Sequence, residues 1–188
     1  MATTSKTPRV VSEELPANPF AFEVFALASK QRSNVKKAEV LKTYSHESLQ
    51  ALLIWNFDET VISELPEGLV PYASVGQQNV VTGNLSDNIN RSIEMMQELD
   101  SNSIGSQDQG RTSIRKEYTY FYNFVKGGND TLSNRKREMM FINILEGLHP
   151  LEAEILMLVK DKKLDTKYKI SKKNVSDAFP HIRWGGRS

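Results

Sequence analysis

The sequence predicts a mainly α-helical fold, a compact domain built of helical hairpins, and three stretches carry that prediction. The clearest is Asp130 to Leu164, which reads as two consecutive amphipathic helices hinged at Gly147-Leu148-His149-Pro150. Arg137, Phe141, Ile144, Leu145 and Leu148 share one face of the first, and Leu151, Ile155, Leu158 and Val159 share one face of the second. The second stretch is residues 19–57, where three short helical patterns follow one another with breaks of two or three residues. The third is RTSIRKEYTYFYNFVK, in which Ile114, Tyr118, Phe121, Phe124 and Val125 recur at helical spacing.

Each element has a start or stop signal. Pro19 opens PFAFEVFALASKQR, with Phe22, Phe25 and Ala26 expected inward and Phe20 and Leu27 flanking them. Ser33 can cap VKKAEVLKTY, which packs through Val40 and Leu41, and Ser45 can cap HESLQALLIWNF. Gly127-Gly128-Asn129-Asp130 breaks the chain, with Asn129 or Asp130 as the next cap. Gly147 suits a position just past a helix end, where a left-handed backbone is tolerated, and Pro150 suits a first turn, where no N–H is needed. Ser171 can cap KKNVSDAF, which Pro180 ends. The core is expected around Trp55, Phe57, Phe121, Phe124, Phe141, Leu145, Ile155 and Leu158.

The same signals divide the chain. Residues 1–18 are polar and read as a flexible arm, residues 19–72 as the N-terminal helical part, and residues 111–188 as a C-terminal basic helical part of the same domain. Residues 73–110 are rich in Gly, Ser, Asn and Gln and read as an insertion with one short helix through Ile89, Ile93, Met96 and Leu99. DETVISELPEGLVPY, residues 58–72, carries turn chemistry at Pro66-Glu67-Gly68 and apolar residues expected to pack down.

Composition bounds the function. In 188 residues, 39% are hydrophobic and 25% charged, there is no cysteine, and no apolar run approaches the length that crosses a bilayer. The net charge of +1 conceals a split: residues 1–110 hold 8 Lys+Arg against 14 Asp+Glu, a net −6, and residues 111–188 hold 16 against 9, a net +7. The basic half points toward nucleic acid or an acidic partner, and the same split also suits self-complementarity within the fold. The candidate contacts are Arg135, Lys136, Arg137, Lys162, Lys163, Lys172, Lys173, Arg183 and Arg187. Arg135-Lys136-Arg137 stands in the first turns of a helix, where the macrodipole disfavours cations and a carboxylate or phosphate would compensate.

Catalytic patterns are absent. His46, His149 and His181 are far apart without helical-spacing partners, and neither a nucleophile elbow nor a dinucleotide fingerprint occurs. Glu152 and Glu154 lie about 200° apart on a helix and do not form a metal-binding pair. The expectation is a non-enzymatic protein with no cofactor, no small-molecule substrate and no membrane association.

YNFVKGGND, LEGLHPLEAEILMLVKDKKL, YKISKKNVSDAFP, IRWGGRS and the upstream WNFDETVISELPEGLVPY resemble a family of uncharacterised proteins of tailed phages, especially T4-like phages of marine cyanobacteria. The likeness covers residues 20–72 and 111–188, with 73–110 longer and more divergent than the family's usual linker; the pattern HP-x-EAE-x-L-x-x-VKDKKL from His149 to Leu164 is its most specific part. The resemblance implies a phage source and no activity. The expectation is an interaction or adaptor protein of nucleic-acid machinery (DNA, RNA or a polymerase), located in the host cytoplasm or the virion. A virion or assembly component ordered by neighbouring structural subunits is the alternative.

Overall fold

The computed structural model describes residues 14–70 and 112–187. Among them are eight α-helices: α1 (Ala21–Lys30), α2 (Asn34–Thr43), α3 (Glu47–Phe57), α4 (Ile114–Glu117), α5 (Asn134–Gly147), α6 (Pro150–Lys160), α7 (Leu164–Lys167) and α8 (Lys172–Ala178). A 3₁₀ segment, Tyr118–Phe124, follows α4 directly. The fold is mainly helical, and one core joins residues from both sides of the 71–111 stretch. The expected insertion at 73–110 and most of the expected arm lie outside the described residues. Of the arm, Leu15 packs against the core, and its N–H donates to Tyr44 Oη at 3.2 Å.

α6 is the central element. It lies against α1, α3 and α5, and its buried positions include Glu152, Ala153, Ile155, Leu156, Val159 and Lys160. The expected stripe is therefore only half right: Leu151 and Leu158 are partly exposed, while two charged residues are inside. A helix touched on several sides buries more than one face, so polar positions along it need partners and not water. α1 likewise buries Val24, Phe25, Leu27 and Ala28, rotated from the expected Phe22, Phe25 and Ala26. Phe22 and Phe20 instead cluster with His149 at the α5–α6 hinge, their ring centroids 4.8 Å and 5.5 Å from the imidazole and 5.4 Å from each other.

The helix starts follow the expected chemistry with two substitutions of cap. Ser33 accepts from the Lys36 N–H at 3.2 Å, and Pro150 occupies the first position of α6 behind His149, whose Nδ1 accepts from the Leu151 N–H at 3.1 Å. α3 is capped by His46, whose Nδ1 accepts from the Ser48 N–H at 3.1 Å; Ser45 instead accepts from Gln50 at 3.0 Å. α5 starts behind Ser133 and not behind Asn129 or Asp130, because Asn129 is spent on the preceding turn, donating to Asn123 Oδ1 at 2.8 Å. Gly147 is the last residue of α5 and is not left-handed; its use is space, since a Cβ there would stand 3.0 Å from Thr112 Cγ2.

The aromatic stretch is wound more tightly than the expected α-helix. In a 3₁₀ helix residues three apart eclipse one another, so Tyr118, Phe121 and Phe124 still fall on one side while Tyr120 and Tyr122 are half exposed. Phe124 lies 5.2 Å from Phe141, edge to face, and Trp55 meets Phe121 at 5.5 Å. Trp55 also donates to Ser63 Oγ at 3.0 Å, tying α3 to the loop behind it. That loop packs down as expected: Val61 and Leu65 are buried, and Glu64 N–H to Phe124 O and Lys126 N–H to Ile62 O, both at 2.8 Å, clip it to the end of the 3₁₀ segment. Phe57 and Leu158, expected in the core, sit at its edge.

Replacing Phe141 with Ala is expected to remove about 3–5 kcal/mol of stability, read by chemical denaturation, because its site is fully buried between Phe124 and its neighbours. Gly128→Ala is expected to lower the melting temperature sharply, since the added Cβ would fall 1.8 Å from the backbone oxygen of Tyr122; unchanged melting would show that the turn opens freely.

Candidate basic interface

The nine candidate cations separate by what their side chains touch. Arg137 is not a surface residue. Its side chain is 3% exposed, its guanidinium meets Glu64 Oε2 at 2.6 Å, and it donates to Asn123 O at 2.7 Å and Asn129 O at 3.0 Å. The compensation that a basic first turn of α5 calls for comes from inside the chain, through Glu64, while Arg135 and Lys136 stay exposed. Lys163 reaches Glu67 at 3.2 Å, and Lys162 donates to the backbone oxygen of Asp58. The buried Lys160, absent from the candidate set, donates to Pro66 O at 2.6 Å and to Asp161, whose other oxygen accepts from the Gly68 N–H at 3.0 Å.

Asp58 gathers the far end of the chain. Its carboxylate accepts from Thr60 N–H at 2.9 Å and Thr60 Oγ1 at 2.7 Å on one oxygen, and from Gly185 N–H at 3.0 Å and Arg187 Nε at 2.9 Å on the other. Burial alone would raise its pKa, but these donors outweigh it and hold the group at about 2. Arg187 also donates to Arg183 O at 2.9 Å, so the IRWGGR segment is fastened to the DET turn. Trp184 donates to Ser176 Oγ at 3.0 Å, and the Lys172 ammonium stands 5.0 Å from its ring centroid. Burial lowers the pKa of Lys162 against the pull of Asp58 and Glu59, and the nearby positive charge of Lys172 adds to the lowering.

Beside this cluster the start of α2, the end of α3 and the start of α8 enclose an open cleft of about 360 Å³. Phe57 and Ile170 give it an apolar lining and Lys37, Lys169 and Lys172 its charge, with Asp165 also on the rim. α2 and α8 are held together there by Asn174, whose side chain donates to Asn34 Oδ1 at 3.1 Å and caps α8 through Ser171. Lys37 donates to the backbone oxygen of Lys169, and none of the three lysines forms an ion pair among the described residues. Lys37 and Lys169 were not singled out in the sequence, because they lie 132 residues apart and only the α2–α8 packing unites them. Lys173 is exposed next to Lys172.

Residues 24–91 and 96–166 match a family of unknown function, DUF6433. The chain belongs to this family. The match includes residues 73–91 and 96–110 of the stretch read from the sequence as an insertion. It also contains most of α1, all of α2 to α6, the buried charges of α6 and the Asp58 turn, whereas α8 and the IRWGGR segment lie beyond it. Searches of curated proteins and of solved structures find no match to the chain.

A second titratable site lies deeper. Glu152 is 1% exposed and accepts from the Ala21 N–H at 3.4 Å and the Ile114 N–H at 2.9 Å, and burial, opposed by those bonds, pushes its pKa up to about 7. Its cavity of about 10 Å³, lined also by His46 and Arg115, has room for at most one water. This site reads as structural. A carboxyl whose folded pKa stands above its unfolded value of 4.5 holds its proton better when folded, so stability is full below that value and declines as pH rises toward 7. Glu152→Gln is expected to flatten this decline, by about 3 kcal/mol across pH 5–8 in denaturation profiles; parallel profiles for the two proteins would refute it. Asp58 carries the opposite sign: its contribution is present above 3.8 and lost as pH falls toward 2. Asp58→Ala is expected to cost about 2 kcal/mol at neutral pH by the same measurement.

Proposed function

We propose that this DUF6433 protein is a non-enzymatic interaction protein of nucleic-acid machinery, meeting a phosphate-bearing partner through the basic surface at α2, the 168–172 turn and α8. One observation carries the reading: Lys37, Lys169 and Lys172 converge on one cleft with no ion pair among the described residues, next to Lys162 and Lys173. Three ammonium groups set against the single cleft carboxylate of Asp165 leave an excess of positive charge that favours an anionic partner. The motif resemblance supports a tailed-phage source, with action in the host cytoplasm or virion.

The half-exposed Tyr120 and Tyr122 and the exposed Met139 favour a second reading, contact with a protein such as a phage structural subunit or a polymerase. Titration of the full chain with short single- and double-stranded DNA and RNA at two salt concentrations decides between them. Binding that weakens steeply with salt, and is lost in Lys172→Ala/Lys173→Ala but kept in Arg135→Ala/Lys136→Ala, is the expected result. No binding at low salt would overturn the proposal in favour of the protein partner.

A further inference from the structure

We infer that the cleft between α2, α3 and α8 seats a single nucleotide unit, with its phosphate among Lys37, Lys169 and Lys172 and its base against Phe57. The inference rests on the functional reading above and narrows it to a ligand class and a site.

Its size comes first. A cleft of about 360 Å³ lies within the range that encloses small ligands and is too confined to admit a double helix. Its lining has two characters in one place. Phe57, partly exposed, and the buried Ile170 behind the surface make an apolar wall, and a planar base covering an aromatic ring removes both surfaces from water. Opposite chemistry surrounds that wall: two exposed lysines and a partly buried one, whose one carboxylate neighbour in the cleft among the described residues is Asp165.

Two of the three ammonium groups, those of Lys37 and Lys172, are also positioned. Lys37 is tied to the backbone oxygen of Lys169, the Lys169 N–H donates to Ser29 Oγ at 3.0 Å, and Lys172 is held over Trp184. An ammonium already restrained loses less freedom when it meets a phosphate. The Asn34–Asn174 pair that joins α2 to α8 also lines the cleft. A ring plus several cations suits neither a bare anion, which has no use for Phe57, nor a duplex, whose bases are stacked away. It suits a nucleoside phosphate, free or as one unit of a single strand.

Adenosine monophosphate, adenosine and inorganic phosphate, each titrated up to millimolar concentration into the full chain by calorimetry, test this. The monophosphate is expected to bind at least ten-fold more tightly than either part and to compete with a single-stranded oligonucleotide. Phe57→Leu is expected to weaken the monophosphate roughly ten-fold and leave inorganic phosphate unchanged, whereas Lys169→Ala/Lys172→Ala weakens both. The lysine variant changes exposed residues and keeps the test valid should Phe57→Leu melt early. If oligonucleotides bind but the monophosphate neither binds nor competes, or if Phe57→Leu has no effect, the nucleotide seat is overturned and the wider nucleic-acid reading survives. If neither oligonucleotide nor monophosphate binds, both fall.

Discussion

A single buried carboxylate, Glu152, organises the helices. It sits in the first turn of α6 and accepts from the first residue of α1 and the first residue of α4, so three helix starts meet at one side chain. Helix starts have N–H groups with no partner inside the helix, and each carries partial positive charge. Gathering three of them would be unfavourable without an acceptor at the centre, and one carboxyl group meets that need with its two oxygens. The cost is desolvation, which makes this acid unusually easy to protonate. α1 and α4 are separated by the whole 71–111 stretch, so this contact joins the two sides together with the core they share.

The 58–70 loop plays the same part for the cations. Asp58 takes Lys162 and Arg187, Glu64 takes Arg137, Glu67 takes Lys163, and the Pro66 carbonyl takes Lys160. Much of the acidic-front, basic-back split is thus internal complementarity. Exposed pairs such as Lys163–Glu67 contribute little to stability, whereas Arg137 and Lys160 are desolvated and depend on their acceptors. What this pairing leaves over is a smaller and more specific surface than a count of charges suggests.

Much of the fold was legible because its signals are local. Ser33, Pro150 and Ser171 start helices by chemistry that needs only a few neighbouring residues, and the turn at Gly127-Gly128 is demanded by a backbone that passes under Tyr122. The aromatic stripe is right for Tyr118, Phe121 and Phe124, which fit a period of three as well as a turn of 3.6, and wrong for Val125, which is extended and bridges to Ser63. Long-range features were not legible. Glu152 and Lys160 look solvated in a pattern of apolar residues, and Arg137 looks like one of three surface bases, until the elements packed on them are known. The candidate cleft was half visible: Lys172 stood out within a basic run, but Lys37, Lys169 and Phe57 join it only through the packing of α2 and α8.

The Asp58 clasp bears on how the chain acquires its structure during synthesis. Residues 58 and 187 meet, as do 34 and 174 and also 21 and 152, so nearly every front helix is completed by a contact made more than a hundred residues later. Such contacts close large loops and form late. While a ribosome is still translating the back half, α1 to α3 have their caps but not their partners, and their apolar faces wait uncovered. The native packing of α1 to α3 is therefore completed only once α6 and α8 are available, and the surfaces they cover are exposed until then.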